Sequence, residues 1–586
     1  MGFISPSPPP VAIEEWKTWS YLDRIKPLAQ DWGVNGFGTP TAVFLLYAIK
    51  LVIFAGGALF LIAATTTGLA GGFSHWWTQP IVFQKLVVWT MLWELIGLGA
   101  GSMPLTFRFL PPIGGILYWL RPGTVRLPPW PAKVPLTKGN TRTIVDVALY
   151  AGVIGCGVTL LLEGGTGTPG HLDPTLIGVM LGLLVLLGLR DKVAYLSSRP
   201  EVYGILLVVF LFPLHDMLVA AQITFVCIWL GAAASKLNHH FPFVIGVMIS
   251  NTPWNRSRAF KRRLWRNHPS DMRPGALAAN AAHAGTLIEF VLPLTLLFSR
   301  GGTVTTIAVI GMVIFHVHIT STAPLAVPLE WNLFMIFGLL FLFGHYGAVP
   351  FSTLSDPLLL ALVLVNGALI PIIGNFRPDK ISFLPAMRYY AGNWATSWWL
   401  FRKDSRAEET LDQRMVKPAP IVVKQLTVFY GEEMAELLLT KGLAFRAMHS
   451  HGRALLGLLP RAVGDVEAYS VREGELISGV VTGWNFGDGH FHNEQLLAAV
   501  QARCRFKPGD LRLITLEAQP ALKPDQRYRI FDAAAGLIEE GYVRVADMID
   551  RQPWLDQSGT IPVEVIGRGA PANRTDPPRR RASLAS

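Results

Sequence analysis

A run of about 20 mostly apolar residues is long enough to cross a bilayer as a helix. Eight such runs stand in the first two thirds of this chain: 41–65, 81–101, 143–163, 174–190, 279–299, 303–320, 330–348 and 356–374. Inside hydrocarbon every backbone N–H and C=O must find its partner within the segment, so these runs fold as helices. Charged residues are only 16% of the chain, against roughly 25% in a soluble domain. A purely soluble enzyme is excluded.

Charge divides the chain at residue 401. Residues 1–401 hold 26 Lys/Arg against 16 Asp/Glu, whereas 402–586 hold 25 against 24. The net charge of +11 therefore belongs almost wholly to the apolar part, where loop charge reports orientation rather than a nucleic-acid partner. Loop 121–142 carries Arg121, Arg126, Lys133, Lys138 and Arg142 with no acid, and loop 254–273 carries seven basic residues against Asp271. Loops 66–80 and 164–173 contain no Lys or Arg. Both basic loops, both termini and the C-terminal domain are accordingly expected on the cytoplasmic side of a plasma (inner) membrane.

The stretch 202–253 reads in two ways. One is a long helix 203–236 with a short return at 241–252; the other, preferred, is a hairpin of 203–214 and 217–236 that turns at Pro213-Leu214-His215-Asp216. The hairpin keeps proline and charge out of mid-helix. Segment 103–120, with its Pro-Pro and Gly-Gly, suits a re-entrant or interfacial element, and aromatic-rich 381–401 suits an interfacial helix. The expected architecture is an all-α bundle of about ten spans with a soluble α/β or α+β C-terminal domain. Its parts are an N-terminal segment 1–40, a membrane domain 41–375, an interfacial segment 376–402, the domain 403–568 and a disordered tail 569–586. Within the domain 421–430 reads as a strand, 431–448 as a helix, and LRLITLEAQ and IPVEVIG as strands. The N-terminus lacks the charged and apolar regions of a cleaved signal peptide. Three scattered cysteines form neither a disulfide framework nor a zinc site.

Ionisable residues inside a bilayer are costly unless paired, so each needs a reason to be there. Lys50 and Glu94 fall at similar depth in successive spans, either as an ion pair or as part of an ion path. His283, His316, His318 and Glu330 reach one membrane level from three successive helices; Glu289 lies deeper, on another face from His283. The hairpin brings Lys236, His239 and His240 to that level. Lys236, His283, His316, Glu330 and Glu289 are thus candidates for acid–base chemistry in a dry pocket, against the plainer reading of satisfied interfacial side chains.

The run IWLGAAASKL with Phe241 four residues beyond Leu237, and the later Glu289-Phe-Val-Leu-Pro, resemble the vitamin K-dependent carboxylase and horizontally transferred transmembrane domain superfamily. That resemblance implies a lysine base, Lys236, acting on a reduced quinone; the alternative is a lysine snorkelling from a helix end. The glycine expected soon after the aromatic comes late, at Gly246. Over its whole length, most distinctively at VPLEWN (327–332), GWNFGDGHFHNEQL (483–496) and RQPWLD (551–556), the chain resembles an uncharacterised transmembrane family of mycobacteria and related actinobacteria. That family carries no established activity.

Two His-x-His pairs stand in the C-terminal domain, His449/His451 and His490/His492, with Asp488 beside the second. On a strand i and i+2 share a face, so each pair can offer two nitrogens to a metal; in a turn both are simply solvated. No cofactor is identified by sequence. The functional expectation is an enzyme acting on a lipid or isoprenoid-quinone substrate in a His/Glu/Lys-lined pocket. The alternative is a lipid or small-molecule transport or scaffold protein whose cytoplasmic domain recruits a protein partner.

Overall fold

The computed structural model describes residues 2–69, 71–99, 114–167, 170–322, 329–415, 418–554 and 560–569. Most of segment 103–120 and nearly all of the tail 569–586 lie outside these residues. Six helices are long and apolar enough to span a membrane. They are α1 (Thr41–Thr65), α3 (Ile144–Leu162), α5 (Leu214–Ser235), α7 (Ala276–Ser299), α8 (Gly302–Thr320) and α10 (Pro357–Phe376), the last running through a π turn. The expected ten spans are not confirmed among the described residues. Shorter apolar helices complete the bundle: α2 (Pro80–Leu95), α4 (Pro174–Arg190), α6 (Phe241–Asn251) and α9 (Leu329–Leu339).

Local chemistry sets the helix ends. Thr143 and Asp146 close a capping box on α3, Asp173 and Asp356 cap α4 and α10, and Pro174 and Pro357 supply a preset first turn. Helix α5 begins immediately after Pro213, the break the hairpin reading anticipates, and Asp216 at its first turn accepts from the backbone N–H of Ser355 at 2.5 Å. The arm before it is short, a π turn Pro200–Gly204 followed by Ile205–Val209. Val52, Phe60, Leu287, Phe298 and Ile307 stay exposed on the long helices, the pattern of surfaces solvated by lipid. Helix α2 has nearly all its side chains buried and runs through protein, not lipid.

The C-terminal region is α+β. Six strands, β1 (Thr396–Arg402), β2 (Tyr469–Glu473), β3 (Leu511–Leu516), β4 (Asp525–Asp532), β5 (Gly536–Arg544) and β6 (Val563–Arg568), form one antiparallel sheet in the order β2-β1-β3-β4-β5-β6. Strand β1 corrects the expectation of an interfacial helix over 381–401. Its aromatics alternate between two cores: Trp398 and Leu400 pack with helices α12 (Glu432–Met448) and α13 (Ser450–Val463), and Trp399 and Phe401 with helix Gly474–Thr482 and its neighbours. Residues 421–430 also differ from expectation, forming α11 (Val422–Tyr430) in place of a strand. Val422, Gln425 and Leu426 are its buried side chains, a helical spacing that β-branched composition obscured.

The domain is bolted to one end of the bundle. Arg503 donates to Asn140 and Gln495 to the Pro128 carbonyl from the first basic loop; Arg273 of the second donates to the Asp550 carbonyl at 2.7 Å. The N-terminal helix Tyr21–Asn35 reaches the same domain through Arg24–Glu467 and Lys441–Asp31. Loops 66–80 and 164–173 meet each other at the opposite end, where the Thr67 N–H donates to the Gly164 carbonyl. Basic loops and the C-terminal domain thus share one side of the bundle.

Lys50 pairs with Glu330, at 2.9 Å, and not with Glu94. Trp93 Nε1 also donates to Glu330, so this carboxylate joins α1, α2 and α9. Removing one partner of a buried pair strands the other, which costs about 3–5 kcal/mol. Lys50→Leu is therefore expected to lower stability by about that amount, and Lys50→Leu with Glu330→Leu to regain most of it. Thermal unfolding of both variants in detergent checks this; equal losses in the two would show that the pairing is immaterial.

Candidate functional site

A cavity of about 180 Å³ lies beneath the C-terminal domain, walled by α5, α6, α7, α8 and α9. Lys236, the residue at which α5 ends, reaches into it and forms an ion pair with Glu289 of α7. His316 of α8 lines the same space and His318 stands at its rim. Helices α5 and α7 run antiparallel, which brings the end of α5 beside the middle of α7; farther along, Arg300 at the end of α7 meets Gln222 of α5 at 3.1 Å.

The ring of His316 is held from both sides. Trp229 Nε1–H, which can only donate, points at Nε2 at 3.0 Å, so Nε2 is an acceptor and the ring hydrogen sits on Nδ1, donated to Asn332 Oδ1 at 2.8 Å. His316 therefore fixes Trp229 and Asn332 in place and has no free nitrogen for a ligand. His283 faces away from this cavity, into an open cleft that also touches Lys236. Glu330 lines neither space and is held by Lys50. Of the five expected acid–base residues, Lys236, Glu289 and His316 thus come together, and His283 and Glu330 do not.

Arg199 was not anticipated. It precedes the π turn in a left-handed conformation and is fully buried. Its guanidinium stacks on Trp331 at 4.4 Å and on Tyr389 at 5.3 Å while Nε bonds Glu201 at 2.6 Å. Its Nη1 has no hydrogen-bond acceptor among the described residues, and the residue lines the cavity. The opposite charges of Arg199-Pro-Glu201 at the head of an apolar run were the available signal. The cavity is then neutral overall, with two ion pairs set among aromatic faces.

The His-x-His pairs of the C-terminal domain do not converge. His449 Nδ1 bonds the Phe445 carbonyl at 2.8 Å, and His451 stacks on its ring at 5.3 Å. Burial pushes His449 down to about 3. His492 bonds Ser397 Oγ at 2.7 Å and is likewise pushed down to about 3 by burial. His490 instead sits between two carboxylates, Asp488 at 3.3 Å and Glu517 at 3.1 Å. Burial opposes its charge, but Glu517 and Asp488 outweigh that and lift it to about 10. Burial likewise opposes ionisation of Asp488, and the contact with His490 brings it to about 2. Among the described residues no group of three or more His, Cys, Asp or Glu side chains is arranged to hold a metal ion.

The profile of a family of transmembrane proteins of unknown function (DUF3556) matches residues 1–566. The chain belongs to that family. No curated protein and no solved structure matches it. Family membership agrees with the six spans and assigns no chemistry to the cavity.

His490 is charged in the fold and largely neutral when unfolded near pH 7, with an ordinary imidazole value of about 6.5. Its raised value stabilises the fold fully below pH of about 6.5, and the contribution is lost as pH climbs to about 10. His490→Leu leaves two buried carboxylates uncompensated, an expected loss of about 3–5 kcal/mol at pH 6. The gap from the native protein should narrow steadily toward pH 10 in thermal melts; a gap independent of pH would contradict the charged triad.

Proposed function

We propose that this protein is a membrane enzyme acting on a lipid or isoprenoid-quinone substrate, with Lys236 and Glu289 as its proton-handling pair. The observation that carries this is the meeting of that ion pair with His316 in one aromatic cavity, with Lys236 also bordering the open cleft. Electrical neutrality favours a neutral, dipolar headgroup over an anion. A flat ring stacks among Trp229, Trp331 and Tyr389, and its oxygens accept from Arg199 Nη1 and from Lys236. In this low dielectric the proton of Lys236 passes to Glu289, and the neutral amine then takes the proton of a substrate hydroxyl, leaving an oxyanion beside the re-formed ammonium. His316 positions Trp229 and Asn332 and does not itself move the proton. The resemblance of the Lys236-Leu237 to Phe241 run to the carboxylase superfamily supports a lysine in this role, and the whole-chain resemblance supports an actinobacterial plasma-membrane setting. The excess of Lys and Arg in the loops beside the C-terminal domain supports cytoplasmic termini.

Transport of a lipid, with the C-terminal domain recruiting a partner, is the second reading. The cleft, about 1260 Å³ between bundle and domain, favours it.

Lipid extracts of a deletion strain complemented with native protein, Lys236→Ala or His316→Ala separate the two. One lipid species should accumulate in the deletion strain and equally with Lys236→Ala, while His316→Ala should retain partial turnover, lowered about 10–100-fold as expected of a misplaced wall. Full complementation by Lys236→Ala, with protein levels matched, would remove the enzyme reading. A lipid redistributed but chemically unchanged would establish the transport reading.

A further inference from the structure

The open cleft differs from the cavity in charge and in what builds it. One wall is apolar and belongs to the spans: Leu230 and Ala234 of α5, Phe290 of α7 and Ile372 of α10. The other is polar and belongs to the C-terminal domain, where Lys523 and Arg544 stand exposed with no ion-pair partner among the described residues. His239 and His283 lie between the walls. Asp550 is the lining carboxylate, and Lys236 is already balanced by Glu289, so the mouth is net positive.

The loop between β3 and β4 fixes the height of that mouth. Its Ala521 N–H donates to the Asn375 carbonyl at the end of α10, at 2.7 Å. The next residue, Leu522, takes φ +65° and is 92% exposed; Leu237, across the cleft at the end of α5, is 70% exposed. A leucine held in a left-handed turn with its side chain outward is costly in water and sensible where the bilayer begins. Lys523 follows it, beside the end of span α10. The adjoining loop presents Arg256, Arg262 and Arg263, all exposed, on the same side of the bundle.

We propose that this cleft is a docking site for an anionic phospholipid of the leaflet beside the C-terminal domain. Its acyl chains lie against α5, α7 and α10, and its phosphate sits between Lys523 and Arg544. Charge complementarity selects this occupant: two cations without an ion-pair partner among the described residues, beside an apolar wall, match a phosphate with chains attached. Leu522 and Leu237 anchor the mouth in the bilayer. The site stands whether or not the cavity carries out chemistry.

The test is native mass spectrometry of the full-length protein, released into detergent from nanodiscs of equal phosphatidylglycerol and phosphatidylcholine. Native protein should retain phosphatidylglycerol over phosphatidylcholine. Lys523→Glu with Arg544→Glu should lower that retention about tenfold or more, since each basic residue at the surface contributes. Ala234→Trp, which fills the apolar wall and leaves every charge in place, should lower it too. Arg262→Glu with Arg263→Glu, outside the cleft, should leave most of it. The charge reversals are at exposed positions, and circular dichroism confirms that each variant folds. Equal retention of the two lipids by native protein would overturn the proposal, as would unchanged retention in the Lys523/Arg544 variant. An equal loss in the Arg262/Arg263 variant would also overturn it, by assigning the lipid to a diffuse basic rim.

Discussion

Several charges of the helical half of this protein are held in compensated pairs, and the contacts of four of its helices follow from where two of those pairs form. Lys50 meets Glu330 across α1 and α9, Lys236 meets Glu289 across α5 and α7, and Arg199 meets Glu201 beside the cavity. Nearer the domain, Arg142 and Asp191 pair at 2.6 Å with both side chains fully buried. In a low dielectric a stranded charge is far more expensive than a pair, so each partner dictates a helix contact. Hydrophobic contact alone would permit many arrangements of apolar helices, because lipid is as apolar as leucine. The ion pairs remove that degeneracy.

What could be read from the sequence follows the same division. Span-length apolar runs announce themselves one segment at a time, so α1, α3, α7, α8 and α10 stood close to their expected bounds. Pairing partners do not. Lys50 and Glu94 matched in depth, yet depth is one coordinate and the rotation of a helix about its axis is another; Glu330, nearly three hundred residues away, won. The strand at 396–402 was hidden for a related reason. A strand buried on both faces reads as a continuous aromatic run, WWLF here, which composition cannot separate from an interfacial helix. Conversely, β-branched residues made 421–430 look extended, although the buried positions 422, 425 and 426 carry a helical period. Lys236, Glu289 and His316 were legible as costly residues at plausible depth. Arg199 was overlooked because it stands at the head of an apolar run, where a basic residue passes for a flank.

The C-terminal domain is part of the membrane architecture and not an appended module. Strand β1, paired on both sides in its sheet, begins only about twenty residues after α10 ends. The short loop before α6 is fastened to it through His240, whose ring bonds Ser450 at 2.6 Å and Gln519 at 2.9 Å. Gln519 in turn exchanges hydrogen bonds with Asn393. This chain of contacts runs along the cleft wall, so the width of the cleft is set by side chains of both halves.

Two adjoining spaces that differ in charge then share Lys236 and Phe241. The cavity holds Lys236 and Arg199 in pairs with Glu289 and Glu201, whereas the cleft leaves Lys523 and Arg544 without an ion-pair partner among the described residues. Lys236 borders both. An anion drawn to the cleft would compete with Glu289 for that ammonium, since both act through the same few ångströms of low dielectric. Whatever occupies the cleft therefore meets the Lys236–Glu289 pair from the cleft side, through one lysine at the end of one helix.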